Sequence, residues 1–281
     1  MKMDLNRQER VGRYVRERRC REGGYCFYRL EEPNSADTYW ALAILHRLGA
    51  PVADADTVRY LQSFQKPGGG FENFQVAHFV LKGLRLLAAA PLQSPLPYLT
   101  EQLRIYDVAL VPAGEASIFK HMYLVLDLCV SFGIVLKPDR REEIRAFILR
   151  QQAPDGGFGR EYGTLIETAQ ALTILRWLQN PHDGQPTTAF IARCENGQFG
   201  FVNVPRTMPG YIEHVYWGLL ARLLAGGRPA YLATCREVVL ASQNLTGGFS
   251  RTTYGGIANL ENTWYAVEAL AHLKAWPVSS G

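Results

Sequence analysis

No apolar run in this chain approaches the roughly 20 residues needed to cross a bilayer, so no membrane-spanning helix is expected. Cysteine is scarce and odd in number. There are five, at Cys20, Cys26, Cys129, Cys194 and Cys235, with no CxxC pair. That argues against a disulfide framework and against a cysteine-rich zinc site. The opening residues, Met1 to Arg13, are polar, so no secretory signal is expected. A reducing cytoplasm is the expected location. An excess of one charge is also missing. The net charge of +4 over 281 residues is too small to suggest a nucleic-acid partner. The densest basic run, Arg13 to Arg21, reads as the solvated face of a helix whose apolar side is Val11, Tyr14 and Val15. Peripheral docking on a membrane or an acidic partner is its alternative reading.

What the chain does have is apolar material and a repeat. Hydrophobic residues make up 47% and aromatic residues 11%, enough for a sizeable core and an aromatic pocket. A Gly-rich turn ending in an aromatic recurs as Gly23-Gly24-Tyr25, Gly69-Gly70-Phe71, Gly156-Gly157-Phe158 and Gly247-Gly248-Phe249. A diverged copy is Gly197-Gln198-Phe199-Gly200-Phe201. The gap from Gly69 to Gly156 is about twice the others, which places a degenerate copy in Leu103 to Glu115. Each turn follows a short amphipathic pattern, and the glycines suit a helix C-cap.

Each turn precedes a more apolar helix. These are expected over Ala36–Leu48, Val76–Ala88, Ser117–Phe132, Ile166–Leu178, Glu213–Leu224 and Glu261–Leu273. A helix that is apolar nearly all round is buried. Six outer–inner hairpins with buried inner helices predict an all-α fold. The expectation is an (α/α)6 barrel, one domain over residues 1–281, with the inner helices lining a central pocket.

The inner helices align on Thr38/Ala41, Val80/Gly83, Thr168/Ala171, Val215/Gly218 and Thr263/Ala266. The preceding position reads Asp37, Phe79, Glu167, His214 and Asn262, and one residue earlier come His78, Glu213 and Glu261. His121 joins this level from the third unit. Acidic residues at a helix start can serve as caps, yet titratable groups beside an apolar pocket also mark a candidate site. Asp37, Glu167 and His214 are the candidate catalytic groups. Tyr39, Trp40, Phe79, Tyr123, Tyr216, Trp217, Trp264 and Tyr265 would wall the pocket, where π-faces can stabilise a carbocation. Tyr211 and the ring of His78, His121, Glu213, Glu261 and Asn262 complete the candidate substrate contacts.

Two stretches carry a resemblance, Gln151-Gln152-Ala153-Pro154-Asp155-Gly156-Gly157-Phe158 and Gln243-Asn244-Leu245-Thr246-Gly247-Gly248-Phe249, each followed by a Thr-x-x-Ala helix. So does Ile191 to Pro205 followed by Tyr211 to Leu219. Over residues 8–275 the chain resembles the toroid superfamily of protein prenyltransferase β subunits and class II terpene cyclases. The resemblance implies an isoprenoid substrate, handled by transfer or by cyclisation.

The family motifs carry over poorly. Where the prenyltransferases place the Asp-x-Cys pair of their zinc site, this chain reads Asn259-Leu260-Glu261, and a later repeat that would supply the zinc histidine is not expected. Asp127-Leu128-Cys129 has the letters but lies late in an apolar helix. The diphosphate-binding basic positions match Thr253 and Gly256, with Arg251 nearby. The diphosphate histidine matches Tyr211, one turn from His214, and Tyr265 matches a pocket tryptophan. The cyclase Asp-x-Asp-Asp acid has only Asp54-Ala55-Asp56-Thr57, which reads as a helix N-cap. The Gly-Cys-Gly-Glu-Gln thioester string of complement is absent.

Three readings stay open: an isoprenoid-active enzyme, a non-catalytic toroid holding a lipid or a protein partner, and a metal-dependent enzyme using the His/Glu ring. No metal ligands are assigned, and a divalent ion, Mg or Zn, is the one cofactor left open. A homodimer or a helical partner subunit is left open too.

Overall fold

The computed structural model describes residues 5–50, 52–180, 182 and 184–276. Among these lie twelve α-helices: α1 (Leu5–Arg16), α2 (Ser35–Arg47), α3 (Ala55–Gln62), α4 (Phe74–Leu86), α5 (Leu96–Gln102), α6 (Lys120–Ser131), α7 (Pro138–Leu149), α8 (Leu165–Trp177), α9 (Gln185–Cys194), α10 (Ile212–Leu224), α11 (Leu232–Ala241) and α12 (Leu260–His272). Even-numbered helices are the expected inner set, within two or three residues at each end. Two strands, β1 (Glu195–Asn196) and β2 (Gly200–Phe201), pair antiparallel at the fifth turn. The chain forms two compact units. One is Met1–Gln102 with Ala241–Leu270, the other Leu103–Leu240 with Ala271–Gly281.

Inner helices start on side-chain caps. The Asn34, Asn73 and Asn259 side chains accept the N–H groups of Asp37, Val76 and Asn262 at 2.8, 2.9 and 2.6 Å. Thr164 does the same for Glu167 at 3.2 Å. Each satisfies one of the N–H groups that a helix start leaves orphaned. These caps correct the register of α4. Asn73 places Ala77, not Val80, at the level of Thr38 and Thr168. His78 and Phe79 therefore lie one turn deeper, level with Tyr39 and Trp40. The sequence alignment matched small residues and passed over the cap.

The Gly-Gly turns are not helix C-caps, which corrects a second expectation. The outer helices end earlier, α3 on Ser63 and α7 on Arg150, both in ordinary right-handed conformation. Some residues further on, the chain makes a tight hairpin. Ala153 N–H donates to Gly157 O at 2.8 Å and Gly156 N–H to Ala153 O at 2.9 Å. The same pair of bonds joins Cys20 to Gly23 and Gly24, Lys66 to Gly69 and Gly70, and Asn244 to Gly247 and Gly248. The glutamine before three of these turns has a role in them. Gln65, Gln152 and Gln243 each donate from Nε2 to the carbonyl of the first glycine.

Two glycines show why the pair is needed. Gly156 has φ of +87°, and a Cβ there would strike the Pro186 backbone at the start of α9. A Cβ on Gly248 would strike the Tyr14 ring of α1. In the first unit the sixth turn therefore seats on the first helix. Arg47 of α2 adds a bidentate ion pair to Glu268 of α12, at 2.8 and 2.6 Å.

The threonines of the Thr-x-x-Ala pattern tie turn to helix. Thr38, Thr168 and Thr263 are fully buried, and their Oγ1 atoms accept the N–H groups of Tyr25, Phe158 and Phe249 at 3.0, 2.9 and 3.0 Å. The expected helix over the basic run ends at Arg16, so Arg18 and Arg19 lie beyond it. Arg18 stacks on Tyr14 at 3.4 Å and Arg19 clamps Asp54 at 2.7 and 2.8 Å. Asp54 in turn accepts the Thr57 N–H at 3.1 Å, the expected N-cap of α3. The Arg19 contact holds the Asp54 carboxyl below the usual carboxylate range.

Candidate functional site

In the first unit α2 packs on α4, and the corrected register brings four aromatic rings together. Tyr39 lies 6.0 Å from His78 and 5.7 Å from Phe79; Trp40 lies 5.4 Å from Phe79, and His78 lies 5.5 Å from Phe79. Trp264 and Tyr265 of α12 touch one another at 5.1 Å. Asp37 is buried, and its Oδ2 accepts from Asn34 Nδ2 at 2.5 Å, so cap and carboxylate hold each other. Burial raises the Asp37 pKa against the pull of Asn34 and Arg18. Glu261 is half-buried in the first turn of α12, beside the buried Asn262.

In the second unit α8 packs on α6 and α10. Tyr123 lies 5.1 Å from Trp177 and 5.6 Å from Trp217; Tyr216 lies 4.9 Å from Trp217 and 5.5 Å from His272. Glu167 is buried at the polar end of α8. Its Oε1 accepts the Ile118 N–H at 3.0 Å and its Oε2 accepts the Thr164 hydroxyl at 2.8 Å. Burial raises its pKa, opposed by these two donors and by Arg160. One turn along, Gln170 Oε1 accepts the Ser117 hydroxyl at 2.5 Å. Two residues of α8 thus hold the entry to α6.

His214 Nδ1 accepts the Tyr211 N–H at 3.2 Å, so the neutral imidazole carries its proton on Nε2. Tyr211 itself is the N-cap of α10, and its ring lies 5.2 Å from His214. Glu213 is buried beside His214. His121 meets Tyr106 edge-on at 6.0 Å. The three catalytic candidates thus share one local role: Asp37, Glu167 and His214 each occupy the third position of a helix whose cap they bond in return.

Sequence reasoning missed Trp177, Tyr106 and His272. The first-turn alignment could not reach Trp177 in the last turn of α8. The helical spacing of Glu167, Gln170, Thr173 and Trp177 would have found it, since these residues fall on one face. Among the described residues no three His, Cys, Asp or Glu side chains converge as a metal-ligand group. No helix among them is long and apolar enough to cross a membrane.

The repeated hairpins and aromatic inner faces define an α/α toroid. The chain belongs to the prenyltransferase alpha-alpha toroid domain family, which matches residues 1–90 and 98–279. It is similar in fold to Candida albicans protein geranylgeranyltransferase-I complexed with GGPP, at 15% identity and a TM-score of 0.68, covering 96% of this chain and 92% of that one. It is also similar to a variant of type II terpene cyclase MstE from Scytonema in complex with geranylgeranyl dihydroxybenzoate, at 14% identity and a TM-score of 0.61, covering 96% and 97%. A protein from Actinoplanes shares the fold at 17% identity and a TM-score of 0.59, covering 96% and 99%. No curated protein matches the chain by sequence.

Proposed function

We propose that this chain is an isoprenoid-active enzyme that lays an apolar chain along the aromatic faces of its inner helices. The carrying observation is the cluster of Tyr123, Trp177, Trp217 and Tyr216 in the second unit, with Tyr39, Trp40, His78 and Phe79 as its counterpart in the first. Such rings give a broad apolar surface whose π-faces also favour cationic intermediates. Fold relatives in complex with geranylgeranyl compounds support this substrate class. Glu167 is the proposed acid, because burial keeps its carboxyl protonated further toward neutral pH, where it can give up a proton. Asp37 has the same character in the first unit, and His214 is the proposed partner in proton transfer.

Incubation with farnesyl and geranylgeranyl diphosphate, followed by mass spectrometry and with metal content measured on the same sample, tests the reading. Turnover should appear and be lost in Glu167→Gln and His214→Ala while both variants stay folded. Full activity in both variants would remove these residues from the chemistry. A second reading, a toroid that holds an apolar ligand without reacting it, is favoured by the bonds Asp37, Glu167 and His214 make to their own helix caps. It predicts tight binding of both diphosphates with no product.

A further inference from the structure

Asp37 and Glu167 stand in matched settings, one in each unit. They are 5% and 6% exposed, and each is the third residue of an inner helix. Burial raises the pKa of both. Each has an arginine within charge range, Arg18 for Asp37 and Arg160 for Glu167. The Tyr14 and Tyr60 hydroxyls also lie within charge range of Asp37. Arg160 is held in place by bonds from Nη2 to Val108 O and Val111 O, at 3.0 and 2.5 Å.

The caps differ in what they can do with a proton. Asn34 Oδ1 accepts the Asp37 N–H, which turns Nδ2 toward the carboxyl, and Nδ2 can only donate. A proton on Asp37 Oδ2 would meet that N–H head-on. Thr164 accepts the Glu167 N–H in the same way, but its hydroxyl both donates and accepts. It stands 2.8 Å from Oε2. With Glu167 ionised the hydroxyl donates to Oε2; with Glu167 protonated Oε2–H donates to Oγ1, and the bond survives. Ile118 decides the other oxygen. Its backbone N–H can only donate, so Oε1 accepts in either charge state. A proton on Glu167 therefore sits on Oε2. Gly159 leaves that oxygen room, since a Cβ there would stand 2.9 Å from it.

We infer that Thr164 is a positioning residue that holds the acid proton of Glu167 on Oε2, while Asn34 bars the same arrangement at Asp37. The inference rests on the reading of Glu167 as the acid of an isoprenoid-active enzyme. In the step, the Oε2–H bond breaks and its electron pair stays on Oε2. The π pair of a substrate alkene forms the new C–H bond, and the positive charge falls on the other alkene carbon. The Thr164 hydroxyl then turns to donate to Oε2. The carboxylate is left bonded on both oxygens, with the Arg160 charge beside it.

The test is an NMR titration of the full chain with isotope-labelled carboxyl carbons. The two signals are assigned by their loss in Glu167→Gln and Asp37→Asn. Thr164→Asn keeps a good cap but replaces the rotating hydroxyl with an obligate donor. Glu167 should then bind its proton less tightly, by roughly tenfold or more. Thr164→Ser keeps the hydroxyl and should titrate as the unaltered chain does. Asn34→Thr should move Asp37 the opposite way, toward tighter proton binding, and keeps the test valid should Thr164→Asn misfold. In turnover of geranylgeranyl diphosphate, Thr164→Asn should lower kcat and move its decline to lower pH with KM unchanged, and Thr164→Ser should restore both. A purely structural cap would leave the Glu167 titration unmoved in Thr164→Asn, and that result overturns the inference. Absence of turnover by the unaltered chain, with the titration moved as expected, overturns the acid reading and supports the placing of the proton on Oε2.

Discussion

Glu167 Oε1 accepts the backbone N–H of Ile118 at 3.0 Å, so a carboxyl at the start of α8 holds the segment that enters α6. Glu167 is thus both a scaffold element and the proposed acid, and its titration couples the two. Burial raises its folded-state pKa above the ordinary carboxylate value. Its contribution to stability is therefore complete below the ordinary value and declines as pH rises through the raised one. Glu167→Gln keeps an oxygen for Ile118 and removes the titration. The melting temperature of the unaltered chain should fall relative to this variant as pH rises above the ordinary glutamate value and through the raised one. Parallel curves in thermal melts would show that the carboxyl ionises without strain.

Thr168→Val tests the tie between turn and inner helix. Valine has the shape of threonine, and Val215 occupies this level of α10. The loss is confined to the Oγ1 that accepts the Phe158 N–H at 2.9 Å. Phe158 is fully buried, so no water replaces the acceptor. The expected cost is about 1–3 kcal/mol, measured by urea unfolding. Thr263→Val should behave alike at Phe249.

A gain is expected at the end of α4. Ala88 follows its C-cap with φ of +52°, a left-handed conformation that costs an L-residue about 1–2 kcal/mol. Ala88→Gly relieves this cost and adds some unfolded-state entropy. A net rise of about 0.5–1 kcal/mol is expected in the same unfolding assay.

Ligand affinity should separate the aromatic faces from the proposed acid. Trp217→Ala removes a ring packed on Tyr123 and Tyr216, and should weaken geranylgeranyl diphosphate binding by roughly tenfold or more. Glu167→Gln should leave that affinity within about twofold, well under the 1.4 kcal/mol of a tenfold change, while abolishing product. Equal losses in both variants would mean that the carboxyl contributes to binding rather than to a chemical step.

The repeat was legible because its signals are local. A glycine pair that must admit a neighbouring backbone, the glutamine that bonds it, and a threonine four residues after a cap all recur at readable spacing. Those signals brought Asp37, Glu167 and Asn262 to one level. The α4 register was misread because Val80 and Gly83 imitate the Thr-x-x-Ala pair, while the true marker, Asn73, stands seven residues before Val80. The role of Glu167 toward Ile118 was not legible, since the two lie on different repeats and no spacing rule relates them.

By itself the amino-acid order determined the number of hairpins, which helices are buried, and which residues open α2, α8, α10 and α12. These follow from periodicity, capping and backbone sterics, all of which act within a few residues. Tertiary structure alone decided that Trp177 meets Tyr123, that Arg19 clamps Asp54, and that the sixth turn seats on Tyr14 of the first helix. Each of these joins segments far apart in the chain. They depend on how neighbouring helices pack and not on any local preference.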